Sequence, residues 1–371
     1  MDRFIKNLVE KEQINLRIML YQEEPNDAVA LLQQLIAIPS FSREESVVAD
    51  FLERYIELKG YVVSRKDNNI WLLSPGFDSS RPTILLNSHI DTVKPASGWN
   101  RDPFTPVLEN GKLYGLGSND AGASVVTLLQ AFFILTQGQQ SYNLIFAATA
   151  EEEVSGKNGI ESLLKELPKI DFAIVGEPTQ MNMAVAEKGL MVLDCIATGI
   201  AGHAARNEGE NAIYKALQDI EWFRTFEFPK KTDLLGPVKM SVTQINAGTQ
   251  HNVVPDKCSF VVDVRSNEMY SNEEILDEIR AHISSDVQPR SIRLSSTATP
   301  LENPVVKRGM ELNRILFGSP TLSDQALMPF PSLKIGPGDS ARSHTADEYI
   351  LTTEIEEAIE IYVNLLDAIV F

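Results

Sequence analysis

Histidine and acidic residues cluster in this sequence where sheet-built proteins place their chemistry. His89 and Asp91 follow the apolar stretch Thr83–Leu86; Glu151, Glu152 and Glu153 follow Asn143–Ala148; Glu177 follows Phe172–Val175. Each stretch has the length and composition of a buried strand. In open α/β sheets, ligands bind beyond the carboxyl ends of the strands. Singly, a His-x-Asp is a loop accident and three consecutive Glu are a solvated helix start. Delivered together to one sheet edge, acids without basic partners repel one another and lose hydration, so they require a cation. Imidazole and carboxylate without thiolate suit Zn²⁺, Mn²⁺ or Co²⁺ better than Ca²⁺ or a cysteine-bound structural zinc.

Two glycine-rich segments add to this set. Gly115-Leu116-Gly117-Ser118-Asn119-Asp120 precedes a helix and looks like a dinucleotide loop, but Asp120 stands where that fingerprint needs its third glycine. Its carboxylate would oppose a pyrophosphate, which argues against a nicotinamide-dependent dehydrogenase. The same acid suits a metal, and it interacts well with the helix dipole. Gly336-Pro337-Gly338-Asp339 reads as a tight loop after Ser332–Ile335 and leads to His344; Gly336 is a candidate substrate contact. Lys188, Arg206 and Arg265 are candidates for a substrate carboxylate, a partner whose shape a guanidinium fork matches.

These residues need elements to hold them. Asp27–Ile38 has helical periodicity stopped by Pro39, and Ser42 with Glu45 has the spacing of a capping box opening a helix to about Leu58. Strands at Ile70–Leu73, Thr83–Leu86, Asn143–Ala148 and Phe172–Val175, with a helix at Ala121–Leu135, predict an α/β fold with a mostly parallel central sheet. Beyond Pro178 the character changes. One long strand is expected at Met183–Ala197, then a helix at Asn211–Thr225, strands at Val238–Asn246 and Lys257–Arg265, a helix at Asn272–Ser284 and a strand at Ser291–Ser296. That β-α-β-β-α-β order is the ferredoxin-like split unit. From Thr299 the α/β character returns and ends in an amphipathic helix, about Thr353–Ile369. The expected organisation is a discontinuous domain, 1–182 and 297–371, with a ferredoxin-like domain, 183–296, inserted into it.

The composition fits two globular domains: 371 residues, 43% hydrophobic and 23% charged, exclude a wholly disordered chain. A formal net charge of −18 repels phosphate backbones and anionic lipid, so neither nucleic acid nor membrane is an expected partner. No apolar run approaches the roughly 20 residues of a membrane span, and Met1–Glu24 lacks the apolar core of a signal peptide. Cys195 and Cys258 sit in strand-like stretches and fit buried free thiols, pointing to a reducing, cytoplasmic setting.

Seven motifs in order carry a resemblance: SHIDTV (Ser88–Val93), YGLGSNDAGA (Tyr114–Ala123), TAEEEVSG (Thr149–Gly156), VGEPT (Val175–Thr179), GHAA (Gly202–Ala205), NVVPD (Asn252–Asp256) and SHTADE (Ser343–Glu348). Together they resemble the M20 family of dinuclear zinc amidohydrolases, most of all its acetylornithine deacetylase and succinyl-diaminopimelate desuccinylase group. The resemblance runs from about Asp27 to Phe371. It implies a zinc-peptidase-like catalytic domain with a lid that forms a homodimer. It also implies two Zn²⁺, replaceable by Co²⁺, with His89 and Glu177 on one, Glu153 and His344 on the other, and Asp120 bridging them. Asp91 would orient His89, Glu152 would be the general base, Asn252 would touch substrate, and His203 would reach a neighbouring subunit's active site. Ser88, Glu151 and Ala121-Gly122 depart from the usual family residues without removing a ligand.

The reading that results is metal-dependent amide hydrolysis of a small N-acyl amino acid, N-acetyl- or N-succinyl-ornithine or the citrulline derivative, in arginine biosynthesis. Within the same chemistry the alternatives are a succinyl-diaminopimelate desuccinylase and a metallo-dipeptidase or carboxypeptidase. A catalytically silent, metal-stabilised binding protein is the alternative from another class, and it would have no use for a general base at Glu152.

Overall fold

The computed structural model describes residues 27–206 and 208–371; the segment Met1–Glu24 and its signal-peptide reading lie outside the described residues. The chain forms two compact units, one running to Val185 and resuming at Thr299–Phe317 and Ser323–Phe371, the other made of Ala186–Ala298 and Gly318–Leu322. The breaks fall at 185/186 and 298/299 rather than at 182/183 and 296/297. Gly318–Leu322 groups with the second unit, where the Lys188 N–H donates to the Ser319 carbonyl at 3.0 Å.

The first unit is built on a sheet whose centre is parallel. Asn143–Thr149, Thr83–His89, Phe172–Val175 and Ser332–Lys334 lie side by side in that order, all parallel. Asn69–Leu73 and Ser64–Lys66 extend one side antiparallel, and Met183–Glu187 joins Ser332–Lys334 antiparallel on the other. Thr83–His89 and Asn143–Thr149 are buried along their whole length, as expected of strands covered on both faces. Alternation sorts their side chains: Ile84 and Leu86 join one core cluster, with the helices Asp27–Ile36, Ser46–Leu58, Ala123–Thr136 and Thr352–Leu366. Leu85, Ile145, Ala147, Ala173 and Val175 face a second cluster, with Ile160, Leu163 and Met328.

Ser118–Thr136 is, by length and composition, apolar enough to cross a membrane, contrary to the expectation that no run approaches that length. Its first five residues are a kinked turn, non-helical at Asp120 and Ala121, and the rest is the core helix Ala123–Thr136; 83% of the apolar window is buried inside the fold. Nor does Ser42 cap a helix. The helix Ser46–Leu58 has Glu45 at its N-cap without a side-chain cap bond, and Ser42 Oγ instead donates to Asp91 Oδ2 at 2.7 Å.

The second unit is a four-stranded antiparallel sheet in the order Lys239–Ala247, Lys257–Arg265, Met191–Thr198, Asp286–Pro289. Alternate residues of the two central strands, Leu193, Cys195, Phe260 and Val262 among them, bury one face under the helices Ala212–Thr225 and Asn272–His282. This is the expected ferredoxin-like arrangement, with two corrections. The long strand breaks into Met183–Glu187 and Met191–Thr198. At the break a Cβ on Gly189 would lie 2.3 Å from Ser266 Oγ and 2.5 Å from the Ser296 nitrogen, so only glycine fits. The last strand is Asp286–Pro289, not Ser291–Ser296. The Asn272 amide donates to the carbonyls of Ile292 and Leu294, so a side chain engages that segment. Pro289 lacks an N–H, which an edge strand tolerates. Cys195 and Cys258 are buried free thiols.

Candidate metal centre and active site

Strand register brings the first acids and imidazole to one level. Asn87 lies opposite Val175, and His89 opposite Thr149. Glu177, two residues past Val175, therefore reaches the height of His89, and the turn Glu151–Glu153 begins beside it. His89 is buried; its Nε2 lies 3.2 Å from Asp120 Oδ1 and 3.8 Å from Glu177 Oε1. From the far end of the chain, His344 places Nε2 3.0 Å from Glu153 Oε2 and 3.6 Å from Asp120 Oδ2. Asp120 thus offers one oxygen to each imidazole. Ligand atoms of His89, Asp120 and Glu153 fall within 4.8 Å of one another, and so do those of His89, Glu152 and Glu177.

Buried groups behind these side chains hold them. His89 Nδ1 lies 2.9 Å from the Asp91 carbonyl and 3.4 Å from Asp91 Oδ1, so the main chain is the nearer partner. The Asp91 carboxylate also anchors the glutamate turn. Its Oδ1 accepts the Glu152 N–H at 3.0 Å, and its Oδ2 accepts the Glu153 N–H at 3.2 Å. Glu45, fully buried, accepts the Glu151 N–H at 3.1 Å and the Asn68 amide at 2.8 Å. Glu151 itself is left-handed, φ 57°, and binds the Asn158 amide at 2.9 Å. Glu348, also buried, accepts N–H groups of Gly117, Asn119 and Asp120. Asp324 accepts from Asn87 and Thr149 beneath the strand ends, where burial pushes its carboxyl to about 6. Sequence reasoning missed Glu45, Asp324 and Glu348. Glu348 closes the SHTADE motif, so that motif offered a signal; for the other two no local pattern does.

The electrostatics ask for positive charge. Burial and the charge of Glu177 push the Glu152 carboxyl well above its usual range, and burial does the same to Glu177 against the pull of His89. Burial opposes a charged His89, yet hydrogen bonds to Asp120 and Asp91 hold its imidazolium well above the ordinary range. The bond to Glu153 raises His344 to about 9. Carboxylates packed together in this way favour a positive charge among them, whether a proton or a cation. The donor set is imidazole and carboxylate oxygen without thiolate, which fits divalent zinc, cobalt or manganese.

The Gly336 N–H donates to Thr179 Oγ1, and its carbonyl accepts the N–H groups of Thr179 and Met181, so it closes the Glu177 loop through its backbone. The other expected substrate contacts belong to the second unit. There, His203 is exposed and pairs with Val253; the Ala205 N–H donates to its Nδ1 at 3.1 Å, leaving Nε2 to carry the hydrogen. The Ala204 N–H donates to the Asn252 carbonyl at 3.0 Å, bringing Asn252 beside that loop. Arg206 is exposed and lies 3.7 Å from Glu208. Arg265 grips Asp263 with two bonds of 2.8 and 3.0 Å, and Lys188 Nζ donates to the Pro237 carbonyl at 2.8 Å. Burial, with Lys239 and Arg265 nearby, lowers the Lys188 pKa.

Comparison with known proteins gives one family. The model described as Peptidase family M20/M25/M40 matches residues 85–368. A putative succinyl-diaminopimelate desuccinylase from Mycobacterium tuberculosis is 28% identical over 350 residues, spanning 90% of this chain and 96% of that one. The acetylornithine deacetylase of Proteus mirabilis is 27% identical over 371 residues, spanning 91% and 96%. Among solved structures, the aminopeptidase PepT of Bacillus cereus superposes with a TM-score of 0.75 at 18% identity, covering 92% of this chain and 97% of that one. A dinuclear metal-binding M20 peptidase of Bacillus subtilis gives a TM-score of 0.69 at 15% identity, covering 91% and 96%.

Proposed function

The chain belongs to peptidase family M20/M25/M40, and on that premise we propose that it is a dizinc amidohydrolase that removes the acyl group from N-acetyl- or N-succinyl-ornithine, or from the citrulline derivative, in arginine biosynthesis. The observation that carries the reading is Asp120, whose two carboxylate oxygens divide between His89 at 3.2 Å and His344 at 3.6 Å. A shared carboxylate flanked by two imidazoles is what a two-metal site needs.

In this reading His89 and Glu177 would hold one ion, Glu153 and His344 the other, and Asp120 would serve both; Co²⁺ could replace Zn²⁺. Bound there, such ions supply Lewis acidity and lower the pKa of water towards about 7. Glu152 takes a proton from the attacking water as its oxygen bonds to the carbonyl carbon. It returns that proton to the amine nitrogen as the C–N bond breaks. Asp91 keeps Glu152 and Glu153 in place by accepting both of their backbone N–H groups. His203, reaching the site from a neighbouring subunit, donates its Nε2 hydrogen to the oxyanion, worth about 2.7–4 kcal/mol in comparable sites. Asn252, Arg265, Lys188 and Arg206 contact the substrate, whose carboxylate competes with Asp263 for the Arg265 fork. Gly336 is a further substrate contact in this reading, on a backbone that also holds the Glu177 loop.

The second unit is the lid and the dimerisation domain. Its edge strand Lys239–Ala247 exposes Ile245, and its helix Ala212–Thr225 exposes Tyr214 and Leu217. An unpaired edge and exposed apolar side chains favour pairing with a second copy. The cytoplasm suits the two free thiols. Similarity to the putative desuccinylase of Mycobacterium tuberculosis supports a second reading, hydrolysis of N-succinyl-diaminopimelate.

Release of primary amine from a panel tests both: N-acetyl- and N-succinyl-ornithine, the citrulline derivatives, N-succinyl-diaminopimelate and dipeptides, with Zn²⁺ or Co²⁺ added. The highest kcat/KM is expected on an acyl-ornithine or acyl-citrulline. A maximum on N-succinyl-diaminopimelate transfers the assignment to the second reading. A maximum on dipeptides makes the protein a peptidase.

A further inference from the structure

We infer that Glu348 is a positioning residue for Asp120: its carboxylate fastens the loop that carries His344 to the turn that carries Asp120, and so sets how the shared acid meets both imidazoles. The inference rests on the two-metal reading of the site. Oε1 of Glu348 accepts the N–H of Asn119 at 2.8 Å and of Asp120 at 3.0 Å, and Oε2 accepts that of Gly117 at 3.1 Å. All three donors belong to one turn, entered by Gly117 at φ 75°, so a single side chain fixes the backbone from which the Asp120 carboxylate projects. The Glu348 carbonyl also accepts the Gly115 N–H at 3.0 Å.

The link runs in both directions. The Asn119 amide donates to the Asp339 carbonyl at 3.1 Å and to Ser343 Oγ at 3.2 Å, while its oxygen accepts the Asp339 N–H at 3.0 Å. A Cβ on Gly338 would come within 2.2 Å of that oxygen. The two loops are therefore zipped together on either side of His344. Glu348 lies four positions after that histidine, so the same strap governs both ends of the His344–Asp120 approach.

The residue type matters. Three converging N–H groups need two acceptor oxygens on one side chain of this length. Glutamine would keep the pair on Oε1 but turn an NH₂ towards the Gly117 N–H, donor against donor. The burial of Glu348 next to the Asp120 charge is a cost that a plain loop anchor would avoid. Groups that orient ligands from behind typically alter metal affinity by about 10–100-fold when removed.

The test is Co²⁺ titration of the metal-free protein, read by isothermal calorimetry and by the visible d–d spectrum, beside the melting temperature of each metal-free variant. Wild type is expected to bind two Co²⁺ per chain. Glu348→Gln, which keeps two of the three bonds, is expected to fold, to bind Co²⁺ about 10–100-fold more weakly, and to show an altered d–d envelope. Glu348→Ala should show the same change or a larger one, and the glutamine variant answers the question even if the alanine variant fails to fold. Unchanged affinity and spectrum in folded Glu348→Gln overturn the inference and leave the metal reading intact. So does a loss of affinity that merely follows a loss of stability with the spectrum unaltered. Wild type that binds no Co²⁺ overturns the metal reading, and the inference with it.

Discussion

At the scale of residues, Glu152 and Glu153 stand side by side and do different things. Glu153 faces His344 at 3.0 Å, while Glu152 sits among Glu177, Asp324 and His89, where burial keeps its carboxyl from ionising in the ordinary range. Glu152→Gln keeps the shape and removes the base, so metal content should be retained while kcat falls by about 10²–10⁴-fold, the usual share of acid–base catalysis. Elemental analysis with steady-state kinetics checks both halves, and a metal-replete variant with near-normal turnover refutes the role. Asp120 and His344 are separable in the same way. Asp120→Ala should lose both ions because Asp120 offers one carboxylate oxygen to each imidazole, whereas His344→Ala should lose one. If the metal count per chain is the same in the two variants, Asp120 is not the bridge.

At the scale of elements, the site depends on how sharply the chain turns after Asn143–Thr149. Glu151 adopts a left-handed backbone, and Gly156 packs directly on it. A Cβ added to Gly156 would lie 2.5 Å from the Glu151 Cβ and 1.8 Å from its Oε2. The collision with Cβ is not relieved by swinging the end of the side chain, so the turn itself must move. Gly156→Ala is therefore expected to lower kcat/KM by roughly 10²-fold, the penalty of misplacing a reacting group by about 1 Å. Turnover equal to wild type would mean that the turn has more freedom than its packing suggests.

At the scale of the whole molecule, the second unit is where one chain would meet another. If His203 serves the site of a neighbouring subunit, two inactive proteins should rescue each other. Mixing His203→Ala with Glu152→Gln subunits creates one complete site in each mixed dimer, and random two-fold pairing gives about a quarter of wild-type activity. Subunit exchange is verified separately, for instance with differently tagged chains. Exchange without recovery would place His203 within its own chain or outside the reaction.

The elements themselves are legible without coordinates because they depend on local pattern. Buried strands announce themselves as apolar runs, and the residues just past their carboxyl ends, His89, Glu151–Glu153 and Glu177, follow from that alone. The β-α-β-β-α-β order of the second unit is legible for the same reason, although its last strand is displaced to Asp286–Pro289 while the Asn272 amide engages the segment beyond. What the tertiary structure alone decides is which distant groups satisfy one another. Ser42 has the spacing of a helix cap but bonds to Asp91, 49 positions away. Glu348 pins a turn 228 to 231 positions earlier. A buried carboxylate must find donors wherever the fold brings them, and sequence spacing carries no record of that choice.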